Sequence, residues 1–139
     1  EMVSSVMDEE SNFISYISIE LIKKILVYLG YKGKIILSSD FTIKSTGSDL
    51  VLDLCKAVGA EQYLSGSGGV AYLVREDFEQ AGIEVKFQQF YLPKYKQCFP
   101  KVDFISDLSI LDLLFNKGVE ARYIMQLGKQ SYLDWDELN

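Results

Sequence analysis

The stretch Ser65-Gly66-Ser67-Gly68-Gly69 is the part of the sequence best suited to chemistry. Three glycines in five residues let the backbone approach a ligand closely. Successive N–H groups in such a bend can point at one anion, such as a phosphate. The stretch lacks the Gly-Lys-Ser/Thr of a nucleoside-triphosphate loop and the Gly-x-Gly-x-x-Gly of a dinucleotide site. A flexible connection is the alternative reading.

Further polar groups could converge on that bend. Ser38, Ser39 and Asp40 follow the apolar run Lys34 to Leu37, which reads as a short buried strand. In a parallel sheet the C-terminal ends of strands are where ligands bind. Turn formation and helix capping would explain the same residues. Asp112 and Asn116 are four apart, so they share a helix face. Gln88 lies near the end of an alternating run, and Tyr72 follows the glycine stretch. Tyr63, Tyr72, Tyr91 and Tyr95 would ordinarily pack, and Gln88 and Gln97 would ordinarily be solvated.

The chain contains no histidine. A Ser-His-Asp triad, a Cys-His pair and nearly all zinc sites are therefore excluded within it. A general base must be Asp, Glu, Tyr, Lys or Cys, and Asp40 and Asp112 are the candidates. No metal set and no cofactor motif is expected.

The elements that must position these groups follow from periodicity. Residues 12–29 read as an amphipathic helix, with Ile14, Ile17, Leu21, Ile22, Ile25 and Leu29 at spacings of three and four and Gly30 as a stop. Thr46 and Asp49 have capping-box spacing and open a helix expected to bury Leu50, Val51, Leu54 and Val58 before Gly59. A strand is expected at Gln62 to Leu64, a helix over 75–81 closed by Gly82, and an alternating strand over 83–90. Residues 91–106 read as a long aromatic loop. Ser109 and Asp112 open a further helix that ends at Gly118, and a last helical pattern stops at Gly128. The expectation is a single α/β domain over residues 1–139 with its core in 12–127. Its small, parallel-rich sheet has about three strands alternating with helices, and the acidic tail over 129–139 is frayed.

Composition narrows the class. Nine Tyr and eight Phe among 139 residues predict a packed interior. The net charge of −6 and the absence of a basic stripe argue against a nucleic-acid partner. No apolar run approaches the roughly 20 residues of a membrane span, so membrane insertion is not expected. The acidic first residues do not resemble a signal peptide, and two cysteines are too few for a disulfide framework. A cytoplasmic location follows as the expectation, with Cys55 as a buried thiol.

Longer strings carry a family resemblance. Tyr63-Leu64-Ser65-Gly66 with Gly68-Gly69 and Tyr72-Leu73, then Phe87-Gln88, Phe90, Pro93, Tyr95 and Gln97, then the run from Leu108 to Asn116 with Gly118, together resemble the WbqC-like protein family. The likeness covers roughly residues 12–118 and corresponds to the second half of family members. Val74 stands where the family often has Asp, and Ser106-Asp107 where it often has Pro-Asn. The resemblance implies a part in bacterial surface-polysaccharide biosynthesis of the O-antigen type. It further implies acyl or aminoacyl transfer to a nucleotide-linked amino sugar. A nucleotide-sugar or another phosphate-bearing small molecule would be the partner, together with an N-terminal domain lying outside this sequence. The alternative is a non-catalytic binding or oligomerisation module, in which the same residues are turns and caps and the chain is a homo-oligomer.

Overall fold

The computed structural model describes residues 2–7, 13–99 and 101–138, and the chain divides into two compact units, 1–36 and 37–139. In the first, helix α1 (Met2–Met7) packs on α2 (Ile14–Tyr28). Val6 and Ile25 are buried, and Lys24 Nζ donates to Ser5 Oγ at 3.0 Å. The expected helix is present, but Ile14 and Ile22 from its apolar series are exposed. The apolar run at 34–37 is no strand. It has no ladder partner among the described residues, and the boundary between the two units falls within it.

The second unit is built around three strands in the order β1 (Gln62–Gly66), β2 (Glu84–Tyr91), β3 (Lys129–Leu133). β1 and β2 run parallel, with Gln62 opposite Glu84 and Gly66 opposite Gln88. β2 and β3 run antiparallel, with Phe87 opposite Leu133 and Gln88 opposite Tyr132. The α/β class therefore holds, but the sheet is mixed rather than parallel-rich. The reason is the tail. Residues 129–133 pair with β2, and Trp135–Glu137 forms a short 3-10 turn against it. Trp135 packs edge-on against Phe87 with centroids 4.7 Å apart. Lys86 Nζ donates to Asp134, and the Arg75 guanidinium to Asp136. The segment expected to fray is thus tied down by an aromatic contact and two ion pairs.

One face of β2 is the core. Val85 and Phe87 are buried together with Leu52, Cys55, Leu73, Phe78 and Ile83. Their alternation with Glu84, Lys86 and Gln88 is the period of two that a one-sided strand requires. Leu52 and Cys55 come from α3 (Gly47–Val58), which ends at Gly59 in the left-handed region (φ +68°). Cys55 is the buried thiol expected, and burial pushes its pKa up. The inward face of α3 is rotated from the one expected: Val58 is half exposed, and Leu50, Val51 and Leu54 are only partly buried. Thr46 does cap this helix, but its side chain makes no cap hydrogen bond. Helix α4 (Arg75–Gln80) joins β1 to β2 and buries Phe78 completely. Helices α5 (Ile110–Lys117) and α6 (Ala121–Leu127) then bury Leu113 and Ala121. No helix among the described residues is long and apolar enough to cross a membrane.

Candidate functional site

The glycine stretch divides between strand and turn. Ser65 and Gly66 close β1, and Ser67–Ala71 forms a 3-10 turn. Ser65 is buried, and its Oγ donates to the Gly66 carbonyl at 3.0 Å. The three glycines differ in why they are glycine. A Cβ on Gly69 would come 2.0 Å from Ser65 Oγ, so packing requires that residue. Gly66 and Gly68 face open space, and neither has positive φ. Fold geometry does not demand glycine at either position. Both leave bare backbone at the surface, where a ligand can approach closely.

The strand register sets Gln88 beside Gly66 on one side and Tyr132 on the other. Gln88 lies on the outward face of β2, in line with Lys86. Bonds to Asp134 and then to Glu84 raise the Lys86 pKa, so its ammonium stays charged. Tyr72 is half exposed just beyond the glycine turn. Burial pushes the Tyr63 phenol up, and the neighbouring Tyr72 phenol acts in the same direction.

Asp112 and Asn116 belong to a second cluster. The Tyr95 hydroxyl donates to Asp112 Oδ2 at 2.6 Å, and Gln97 Nε2 donates to the same oxygen at 3.0 Å. Asn116 Nδ2 donates to Asp112 Oδ1 at 3.0 Å and to the Asp112 carbonyl at 2.7 Å. Three side-chain donors, led by the Tyr95 hydroxyl, hold the Asp112 carboxyl below its usual range. A carboxylate so stabilised is a weak proton acceptor. Gln97 also pairs with the Ile105 backbone in both directions, at 2.9 and 3.0 Å. Ser109 caps α5, its Oγ accepting from Leu111 N–H at 3.3 Å. The Asp112 side chain does not return to that cap. It ties the loop at residues 92–108 to the helix instead.

Ser38, Ser39 and Asp40 form a 3-10 turn outside the sheet. Because residues 34–37 are no strand, these three do not stand at a strand end. Asp40 is exposed, and its Oδ2 accepts from Leu37 N–H at 3.4 Å. Tyr95 and Gln97 are the residues that sequence reasoning undervalued. Read as rim packing and a solvated amide, they anchor the loop. Their signal lay in the family strings rather than in their local pattern. A separate open groove of about 570 Å³ between α3 and α4 is lined by Asp49, Asp53, Asp77 and Lys56, and includes none of the candidate ligand-binding or catalytic residues.

The WbqC-like protein family model matches residues 1–124, beginning well before the strings quoted above. The chain belongs to this family. A curated Mycobacterium tuberculosis relative, described only as an uncharacterized protein, is 30% identical over 125 residues. That alignment covers 89% of this chain and 53% of the relative. The chain thus spans about half the length of the curated relative it matches. No solved structure matches it.

The Asp112 cluster yields a test. Asp112→Asn keeps the shape of the side chain but removes the charge that three donors face. Amide hydrogen exchange at Ile105 and through residues 92–108 is expected to accelerate, with the remainder of the second unit unchanged. The pH dependence has a fixed sign. A folded-state pKa lower than the unfolded one contributes stability above the unfolded value, near 3.8, and that contribution disappears as pH falls through the folded value. Loop protection in the parent chain should therefore persist to pH 4 and decay below it. Protection that is identical in Asp112→Asn would refute the anchoring role.

Proposed function

We propose that this WbqC-like chain forms the sugar-nucleotide-binding part of a bacterial surface-polysaccharide biosynthesis protein. On this reading the complete protein transfers an acyl or aminoacyl group to a nucleotide-linked amino sugar. The observation that carries the reading is the pairing of Gly66 with Gln88 where the parallel pair β1–β2 ends, immediately before the Gly68-Gly69 turn. C-terminal ends of parallel strands favour ligand binding, and bare glycine backbone suits a phosphate. In this arrangement Ser65 to Gly69 hold the phosphate, while Gln88 and Tyr72 orient the sugar. Asp40, whose carboxylate is exposed, is the candidate base on this reading, because three side-chain donors already occupy the Asp112 carboxylate. Asp112 and Asn116 serve by fixing the neighbouring loop, and Ser38 and Ser39 present Asp40.

Calorimetric titration with UDP- and dTDP-linked amino sugars tests the proposal. Gly68 has open space around it, so Gly68→Ala should leave the melting temperature unchanged. The added methyl is expected to weaken binding about tenfold, the equivalent of roughly 1.4 kcal/mol. Gln88→Ala should weaken binding of the sugar-linked form more than that of the bare nucleotide. Silence toward both ligands, in this chain and in a full-length relative, would reject the enzymatic reading. Concentration-dependent self-association accompanying that silence would favour the oligomerisation module, for which the exposed Leu64 and Tyr132 on the outer sheet face supply apolar surface.

A further inference from the structure

A cavity beneath the loop at residues 92–108 lies apart from the glycine turn. It encloses about 230 Å³ and is lined by Phe90, Tyr91, Tyr95, Phe104, Ser106 and Asp107, among others. Pockets for drug-sized ligands typically run to roughly 300–1,000 Å³, so this one has room for a single ring and not for a nucleotide. We propose that it is a subsite for one pyranose ring bearing a free amine, with the ring's apolar face against the aromatic wall and its ammonium toward Asp107. The assignment rests on the sugar-binding reading above and adds a second position for an amino-sugar ring, apart from the one that Gln88 and Tyr72 line.

Three observations support it. The wall is pre-formed. Tyr95 and Phe104 meet edge-on with centroids 5.1 Å apart, and the Gln97 pairing with Ile105 closes the loop behind them. A site assembled before the ligand arrives loses little entropy on binding. The aromatic surface is also available, since Tyr91 is 66% and Phe90 41% exposed. Aromatic faces accept both the C–H face of a sugar and a cation. Finally, Asp107 is the one non-glycine at positive φ among the described residues, at +59°. Asparagine and aspartate tolerate that region better than other side chains, and such outliers cluster at functional sites. Ser106 Oγ donates to Asp107 Oδ2 at 2.7 Å and steadies the carboxylate at the cavity rim. An anion beside exposed aromatic faces fits an ammonium better than a neutral or acidic ring.

The test is saturation-transfer NMR with titration of the 139-residue chain. The probes are a 2-amino-2-deoxyhexose, its N-acetyl form, the parent neutral hexose and a uridine nucleotide without sugar. The free amine should bind about fivefold better than the N-acetyl form. Asp107→Asn and Asp107→Gly should both abolish that preference, and the glycine variant, which relieves the positive φ, should melt no lower than the parent. Tyr91→Ala should weaken all the hexoses about tenfold while leaving the fold intact. No saturation of any hexose by the folded chain would overturn the subsite, and so would an amine preference that survives both Asp107 variants. The glycine-turn reading fails separately. Nucleotide binding that is insensitive to Tyr91→Ala, together with silent hexoses, overturns this subsite alone. Hexose binding here without nucleotide binding supports the subsite and counts against the turn.

Discussion

Phe78→Ala is expected to lower the unfolding free energy of the second unit by about 3–5 kcal/mol. Phe78 is fully buried, and its ring stacks near Tyr63 with centroids 6.1 Å apart. Truncation forfeits the transfer energy of the ring, removes the one buried side chain of α4 and leaves a cavity in the cluster that Val85 and Phe87 of β2 share. Domains of this size unfold at roughly 5–15 kcal/mol, so the variant should sit at the margin of folding at 37 °C. Urea titration reads the effect directly. The chain has one tryptophan, Trp135, and it packs on Phe87 in the same core. Its emission reports loss of that contact. Phe115→Ala is the control: that ring is 70% exposed and should move the midpoint by no more than about 0.5 kcal/mol. Equal midpoints for the two variants would mean that the core is not where the burial pattern puts it.

Gly69→Ala should destabilise the chain by about 1–3 kcal/mol through overpacking. The new methyl would arrive 2.0 Å from Ser65 Oγ and 3.1 Å from Leu73 Cδ1. Ser65 is itself buried at the end of β1, so its hydroxyl has little room to rotate away. The cause can be isolated. In Ser65→Ala the oxygen is gone and the remaining contacts are near 3.1 Å, which small shifts can absorb. The double variant should therefore recover much of the loss, with a coupling of about 1 kcal/mol or more. Strictly additive effects would show that Gly69 is dispensable for packing. That result would weaken the contrast with Gly66 and Gly68, on which the ligand-approach argument depends.

Several features were legible in the sequence because they are local. The alternation of Ile83, Val85 and Phe87 fixed the buried face of β2, since side-chain direction in a strand has period two. Gly59, Gly82 and Gly118 were readable as stops, and all three adopt positive φ. The start of α5 at Ser109 was readable from its cap. The family strings were legible for a different reason, since they compare whole patterns and need no geometry.

The sheet's third member was decided elsewhere. Lys34 to Leu37 has the stronger apolar signal but no strand to pair with, whereas Lys129 to Leu133 has a weak signal and a partner. A ladder needs a neighbour's free N–H and C=O groups, and β2 offers them to β3 along its edge opposite β1, from Phe87 to Tyr91. Local composition cannot encode that offer. The same holds for the polar residues. Sequence spacing placed Asp112 and Asn116 on one helix face, but only the folded chain brought Tyr95 and Gln97, 15 to 17 residues away, onto the same carboxylate. Residue types and short spacings determined which groups were available, and long-range pairing determined which of them meet.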